Sequence, residues 1–309
     1  MAIRRGGMQT PTAASSVFAI DTVQSSSGTG PAFISGFTTD HMIAKDPSAT
    51  TAWISNSRLT GTKYMQTSTT DAEANSGGML WDFNNGVWEA GSGSTRTAYM
   101  WARARGYLDV VCYTGTGSTR TINHNLSALP EMIWWKERSN TDYWIVYHKD
   151  LTSGSYPSGK SYLFLNDTSA VSTAYQPLTS APTSSVLSLS ASSGSNGSGE
   201  TYIAYLFATA AGVSKVGSFT QSGATNVACG FSGDTPSLII LKRSDSAGDW
   251  YLFDYARGIV SGNDPHNFLN KTDAQVTNAD IVDPYSGGFA TTSSLTDGDY
   301  IFYAIAAVS

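Results

Sequence analysis

One phrase occurs three times along the chain. Pro236-Ser-Leu-Ile-Ile-Leu-Lys242 is followed, eight residues after its lysine, by Trp250-Tyr-Leu-Phe-Asp254. Pro130-Glu-Met-Ile-Trp-Trp-Lys136 precedes Trp144-Ile-Val-Tyr147 at the same offset, and Asp40-His-Met-Ile-Ala-Lys45 precedes Trp53-Ile54. An apolar run ending in lysine, a polar turn, and a run opened by tryptophan read as strand, turn, strand. Self-similarity of this kind ranks above local signals, because each copy is one supersecondary unit that needs its neighbours to bury its apolar face.

Each copy ends in a nearly all-apolar segment. Tyr300-Ile-Phe-Tyr-Ala-Ile-Ala306 matches Tyr202-Ile-Ala-Tyr-Leu-Phe-Ala208, and Ala98-Tyr-Met-Trp-Ala102 is the first copy's version. A strand with no polar face is covered on both sides, so these closing strands are expected in the middle of their sheets, with the lysine-ended strand nearby. Short strands with turn signals between them, and almost no helix signal, predict an all-β chain. It is read as three related antiparallel β-sandwich-like units in tandem, residues 25–105, 106–212 and 213–309, behind a short N-terminal arm, residues 1–24. In the first unit, Asn84-Asn85-Gly86 predicts a tight hairpin between residues 79–83 and Val87-Trp88, because Asn and Gly accept the positive φ such a turn needs.

The arm stands apart. It carries Arg4 and Arg5, no acid before Asp21, and one apolar cluster, Val17-Phe18-Ala-Ile20. Two readings stay open: a mobile terminus, or a docking arm in which Arg4, Arg5, Val17, Phe18 and Ile20 meet a partner, with 17–20 added as a strand to the partner's sheet.

Composition limits the partners. Charged residues make up 14 % of the 309, with Gly, Ser and Thr filling the gap, and the formal net charge is −6. No basic stripe is present to neutralise a phosphate backbone, so no nucleic acid is expected. No apolar stretch approaches the roughly 20 residues that span a bilayer, so no membrane insertion is expected. Arg4-Arg5 is followed by Gly-Gly-Met-Gln, which does not read as a signal peptide. Cys112 and Cys229 do not occupy equivalent places in the repeat and are read as free buried thiols.

Catalytic patterns are sparse. His41, His124, His148 and His266 show no metal-ligand spacing. Asp245 and Asp249 flank one turn and could form a glycosidase pair, but that chemistry needs a fixed separation of about 5–10 Å inside a cleft, and the second copy has Asn140 and Tyr143 in their place, so solvated turn carboxylates are the expectation. Asp297-Gly-Asp299 offers too few oxygens for calcium. Lys45, Lys136 and Lys242 read as strand-end solubility groups or partners of nearby acids. Trp53, Trp144 and Trp250 repeat and are assigned to packing. Trp134-Trp135 differs: adjacent residues on a strand point to opposite faces. One packs inward, and the other is read as an interface aromatic facing a partner, with packing inside the chain and sugar stacking as alternatives. No enzyme activity, metal or cofactor is expected.

Several segments carry a family likeness. Tyr113-Thr-Gly-Thr-Gly-Ser-Thr-Arg-Thr-Ile-Asn-His-Asn-Leu126, Pro130-Glu-Met-Ile133, Lys136-x-Arg-Ser-Asn140, Asp142-Tyr-Trp-Ile-Val-Tyr-His148 and Tyr202-Ile-Ala-Tyr-Leu-Phe-Ala208 resemble a domain of virion structural proteins of marine tailed bacteriophages. The resemblance is strong over residues 107–309 and weak before them. It implies a structural protein of the virion, made in the host cytoplasm: a tail-associated fibre or appendage, with a capsid decoration protein as alternative. Its expected partners are other virion proteins and copies of itself in a symmetric homo-oligomer, a trimer first. A carbohydrate-binding module that meets a host surface glycan, and a polysaccharide-degrading tailspike, are the competing readings. The resemblance supplies no catalytic residues.

Overall fold

The computed structural model describes residues 7–22, 30–89, 95–151, 161–233 and 235–308. Three main sheets carry the repeat, and each lays its strands down in one order: opening, closing, lysine, tryptophan, edge. In the second unit these are Leu108–Thr114, Thr201–Phe207, Met132–Glu137, Ile145–His148 and Leu163–Phe164. In the third they are Ser214–Gln221, Gly298–Ile305, Leu238–Arg243, Trp250–Asp254 and His266–Phe268. In the first they are Phe18–Asp21, Thr97–Trp101, His41–Lys45, Ile54–Ser57 and Lys63–Gln66, with Ala74–Asn75 beyond. Neighbouring strands pair antiparallel, and the register repeats: Tyr99 lies opposite Ile43, Tyr205 opposite Trp134, and Tyr303 opposite Ile240.

The alternation of side chains explains why the closing strands carry no polar face. In the second unit Ala204 and Leu206 point to a core shared with a small sheet of Arg120–Asn123 and Val186–Leu189, while Ile203, Tyr205 and Phe207 point the other way. The first unit repeats this, with Ala98 and Met100 toward its small sheet and Tyr99 and Trp101 away from it. Each unit is thus a sandwich. The outward faces of the three main sheets meet one another in one continuous core that holds Ile43, Tyr99, Trp134, Tyr205, Ile240 and Tyr303. The Phe207 and Tyr303 rings meet there at 5.1 Å, and those of His41 and Tyr205 at 4.1 Å. The units therefore do more than follow one another in tandem: they close into a ring around a pseudo-threefold axis.

The structure corrects the reading of the arm. Phe18–Asp21 pairs with Thr97–Trp101 of the same chain, Phe18 facing Trp101, as Leu108 faces Phe207 and Ser214 faces Ile305. Val17 and Phe18 are buried and Ile20 packs against the common core. A closing strand buried on both faces needs a hydrogen-bonded neighbour on each edge, and this segment supplies one within the chain. The preceding turn is shared as well. The N–H groups of Val17, Tyr107 and Val213 donate to the carbonyls of Ala14, Ala104 and Ala210 at 3.0, 3.2 and 2.9 Å. The first unit therefore begins before residue 14, and Val17, Phe18 and Ile20 are not offered to a partner's sheet. Arg4 and Arg5 lie outside the described residues.

Two further expectations change. Trp134 and Trp135 do point to opposite faces, but both are fully buried inside the chain: Trp134 enters the common core beside Phe207, and Trp135 the second unit's sandwich. Neither is an interface aromatic, because the strand has protein on both sides. The hairpin at Asn84-Asn85-Gly86 is wider than expected. Leu80 pairs with Trp88 and Met79 with Glu89, while the Asn85 carbonyl accepts the N–H groups of Ser35 and Gly36.

Candidate functional site

The repeated lysines and tryptophans occupy the seams of the ring. Trp53 Nε1 donates to the Phe268 carbonyl at 2.9 Å, Trp144 Nε1 to that of Gln66 at 2.9 Å, and Trp250 Nε1 to that of Phe164 at 2.8 Å. Each indole thus holds the edge strand of another unit. The lysines hold the same edge four residues on: Lys45 Nζ donates to Thr272 O at 2.8 Å, Lys136 Nζ to Thr70 O at 3.1 Å, and Lys242 Nζ to Thr168 O at 3.0 Å. Each ammonium also meets the carbonyl six residues ahead of it, at Thr51, Asp142 and Gly248. Backbone bonds complete the seams, from Gln275 N to Pro47 O, Glu73 N to Arg138 O and Val171 N to Ser244 O, each acceptor two residues past a lysine.

These lysines are therefore not strand-end solubility groups. All three are buried, and burial, which penalises the charged form, brings each ammonium down to about 8. Each ammonium is spent on fixed carbonyl oxygens. A partner in the acceptor strand was legible but missed: Phe164-Leu-Asn-Asp-Thr168 and Phe268-Leu-Asn-Lys-Thr272 share a pattern, and Asn166 and Asn270 accept the backbone N–H groups of Trp144 and Trp250, each at 2.9 Å.

The other ionisable groups are also absorbed by the fold. Asp245 pairs with Arg243 at 2.7 Å and Asp249 with Lys271 at 2.7 Å, so the two acids of that turn answer to different cations. Asp297 accepts Gly223 N and Asp299 accepts Thr220 Oγ1. Among the described residues no group of three or more His, Cys, Asp or Glu is placed to hold a metal ion. Burial draws His41 down to about 4 and His148 to about 3, and lowers His124 and His266. Asp254, fully buried, accepts Tyr99 OH and Arg257 Nε at 2.6 and 2.5 Å, tying the first unit to the third.

An open cleft of about 840 Å³ is bordered by Gln9, Arg103, Arg105, Asn125 and Ser127. The Arg103 guanidinium is held by buried Asp109 at 2.5 Å, which answers its charge from below, and its backbone N–H donates to Asp40, while Arg105 is exposed. Ser127, at φ 58, is the one non-glycine residue with positive φ among those described. Its hydroxyl points back to the Asn125 carbonyl at 3.4 Å. Nearby His124 has both ring nitrogens engaged, by Thr183 O and Leu126 N, so it does not act as a base toward that serine. The cleft can cradle a polar segment, but it holds no activated nucleophile. On the second unit's edge strand, Tyr143 rests on Phe164 at 4.4 Å and Tyr175 on Tyr162 at 5.7 Å, with 41 % and 46 % of the two outer tyrosines exposed.

Residues 105–308, about two thirds of the chain, match a family model described as a domain of unknown function (DUF7483). The chain belongs to that family. The matched span begins at the turn before the second unit's opening strand and ends after the third unit's closing strand, so the family's domain corresponds to two of the ring's three units. No curated protein and no solved structure matches the chain. No helix among the described residues is long and apolar enough to cross a membrane.

Proposed function

We propose that this protein is a non-enzymatic structural component of a tailed-phage particle, a tail-associated fibre or appendage body. The observation that carries the reading is the inward use of its chemistry. The repeated lysines and tryptophans and Asp254 are bound to the protein's own backbone or side chains across three seams, and the histidines are bound inside their own units, which makes a rigid body. The resemblance of residues 107–309 to marine phage virion proteins supplies the particle. Its partners in this reading are other virion proteins and copies of itself in a symmetric assembly. Mass spectrometry of purified particles, followed by antibody labelling under the electron microscope, tests it. A stoichiometric band and a label on the tail are expected; absence of the protein from purified particles would refute the reading.

A second reading, a module that meets a host surface glycan, is favoured by the outer tyrosines Tyr143 and Tyr175, whose amphipathic rings suit sugar stacking. A glycan array separates it from the first. The docking role of Arg4 and Arg5 is tested by deleting residues 1–6, which leaves the opening strand Phe18–Asp21 and the turn before it in place.

A further inference from the structure

We infer that residues 106–309 do not form a complete folding unit, and that together they present a docking face whose fitting partner is a β unit of the kind made by residues 14–101. This inference is independent of the phage reading.

The face has two borders. On the second unit it consists of donors: Trp144 Nε1, which reaches Gln66 O at 2.9 Å, and the buried Lys136 ammonium, which reaches Thr70 O at 3.1 Å. On the third unit it consists mainly of acceptors: the carbonyls of Phe268, Leu269 and Thr272 take Trp53 Nε1, Thr67 Oγ1 and Lys45 Nζ at 2.9, 2.6 and 2.8 Å. Asp254 takes the Tyr99 hydroxyl. Between the two borders lie the apolar faces of the Trp134 and Tyr205 sheet and the Ile240 and Tyr303 sheet, which meet Ile43, Tyr99 and Trp101 in the common core.

Without the first unit, a buried charge would lose one of its carbonyl partners, an indole N–H would lose its acceptor, and large aromatics would face water. Each of these states is unfavourable for groups held in fixed geometry. The fitting partner is narrowly specified. It needs a lysine and a tryptophan eight residues apart to meet one border, and an edge strand with backbone carbonyls four residues apart to meet the other. Acceptors of this kind are backbone groups, so the partner's sequence can drift while its fit is kept. That accounts for a family match that stops at residue 105 although the ring does not.

The test uses the full chain with a protease site inserted after the exposed Arg105, in the turn ahead of the second unit. After cleavage, residues 1–105 and 106–309 are expected to co-elute at the size of the intact protein and to melt in one transition. The pieces are then separated in urea and refolded. Residues 106–309 alone should fail to regain the near-ultraviolet signal of the buried tryptophans, and equimolar 1–105 should restore it. The inference is overturned if the cleaved pieces part in native buffer, or if residues 106–309 alone return to a monomer with the native near-ultraviolet spectrum.

Discussion

The first and third units share a strand order, a register and a pair of seam residues, yet their sequences have diverged to different degrees. The third unit keeps Phe268-Leu-Asn-Lys-Thr272 on its edge, and Asn270 caps Trp250. The corresponding stretch of the first unit is Gln66-Thr-Ser-Thr-Thr70, with a serine where the others have asparagine. What survives in both is the donor side, Lys45 with Trp53 and Lys242 with Trp250. The acceptors are main-chain carbonyls, which any residue can supply. Lysine and tryptophan are retained where their side chains cross a seam, the carbonyls they meet demand no particular side chain, and the asparagine that accepts the tryptophan N–H within a unit is replaced by Ser68 in the first.

The severest challenge to this equivalence is removal of the indoles. Trp53→Ala, Trp144→Ala and Trp250→Ala are each expected to cost about 3–5 kcal/mol, measured by urea unfolding, with the three values similar. A markedly smaller loss for Trp53 would mean that the divergent unit sits more loosely. Phe18→Ala tests the first unit's opening strand. Its ring lies 5.0 Å from Trp101 and is fully buried, so a loss of about 3 kcal/mol or more is expected. A neutral result would return residues 17–20 to the status of an arm.

Acid distinguishes the units next. His41 stands where the other units have Met132 and Leu238, with its ring against Trp101 and Tyr205 and Nδ1 facing Asn56 O at 3.0 Å. Its folded pKa is lowered to about 4. Between about 6.5 and 4 the unfolded chain takes up a proton that the folded chain refuses, so stability is full above that window and falls as pH drops through it. His148, lowered to about 3, acts in the same sense. His124 and His266, lowered as well, add to the fall, so His41→Met should flatten part of it in denaturant titrations across that range; an unchanged slope would assign the effect elsewhere.

The lysines come after that. Lys45→Met, Lys136→Met and Lys242→Met each orphan buried carbonyls at a cost of about 1–3 kcal/mol, partly offset by no longer burying a charge. Similar values in all three would support equivalence of the seams. At the small end, Asp245→Asn, which loosens the surface pair with Arg243, should change the free energy of urea unfolding by no more than about 0.5 kcal/mol. Asp245 has no counterpart in the other units, so a larger effect would show that the third unit relies on contacts of its own.

Much of the fold was legible in the residues. The unbroken apolar character of Tyr202-Ile-Ala-Tyr-Leu-Phe-Ala208 required cover on both faces, and the strand is indeed central, flanked by the opening and lysine strands. The shared offset between lysine and tryptophan marked three related units. Closure of the ring was not legible, because its bonds end on the carbonyls of Gln66, Phe164 and Phe268, and the Phe-Leu-Asn pattern that two of these share is missing at Gln66. Trp134-Trp135 was readable as a two-faced pair, but adjacency alone does not reveal that a second sheet covers each face. The burial of Lys45, Lys136 and Lys242 was hidden for a related reason. A lysine at a strand end ordinarily reaches solvent, and only the tertiary arrangement brings carbonyls to it. The four-residue echo of Ala14, Ala104 and Ala210 ahead of the opening strands was present throughout and is the signal that places the start of the first unit.

A round body made of three like parts is usually a meeting of separate molecules, and its existence then depends on how many of them are nearby. Here the parts are strung on one thread, with the last brought back against the first through Trp53 and Phe268. Each part meets its neighbours at the high local concentration that a tether confers, so dilution should leave the assembly shut and its stoichiometry beyond adjustment.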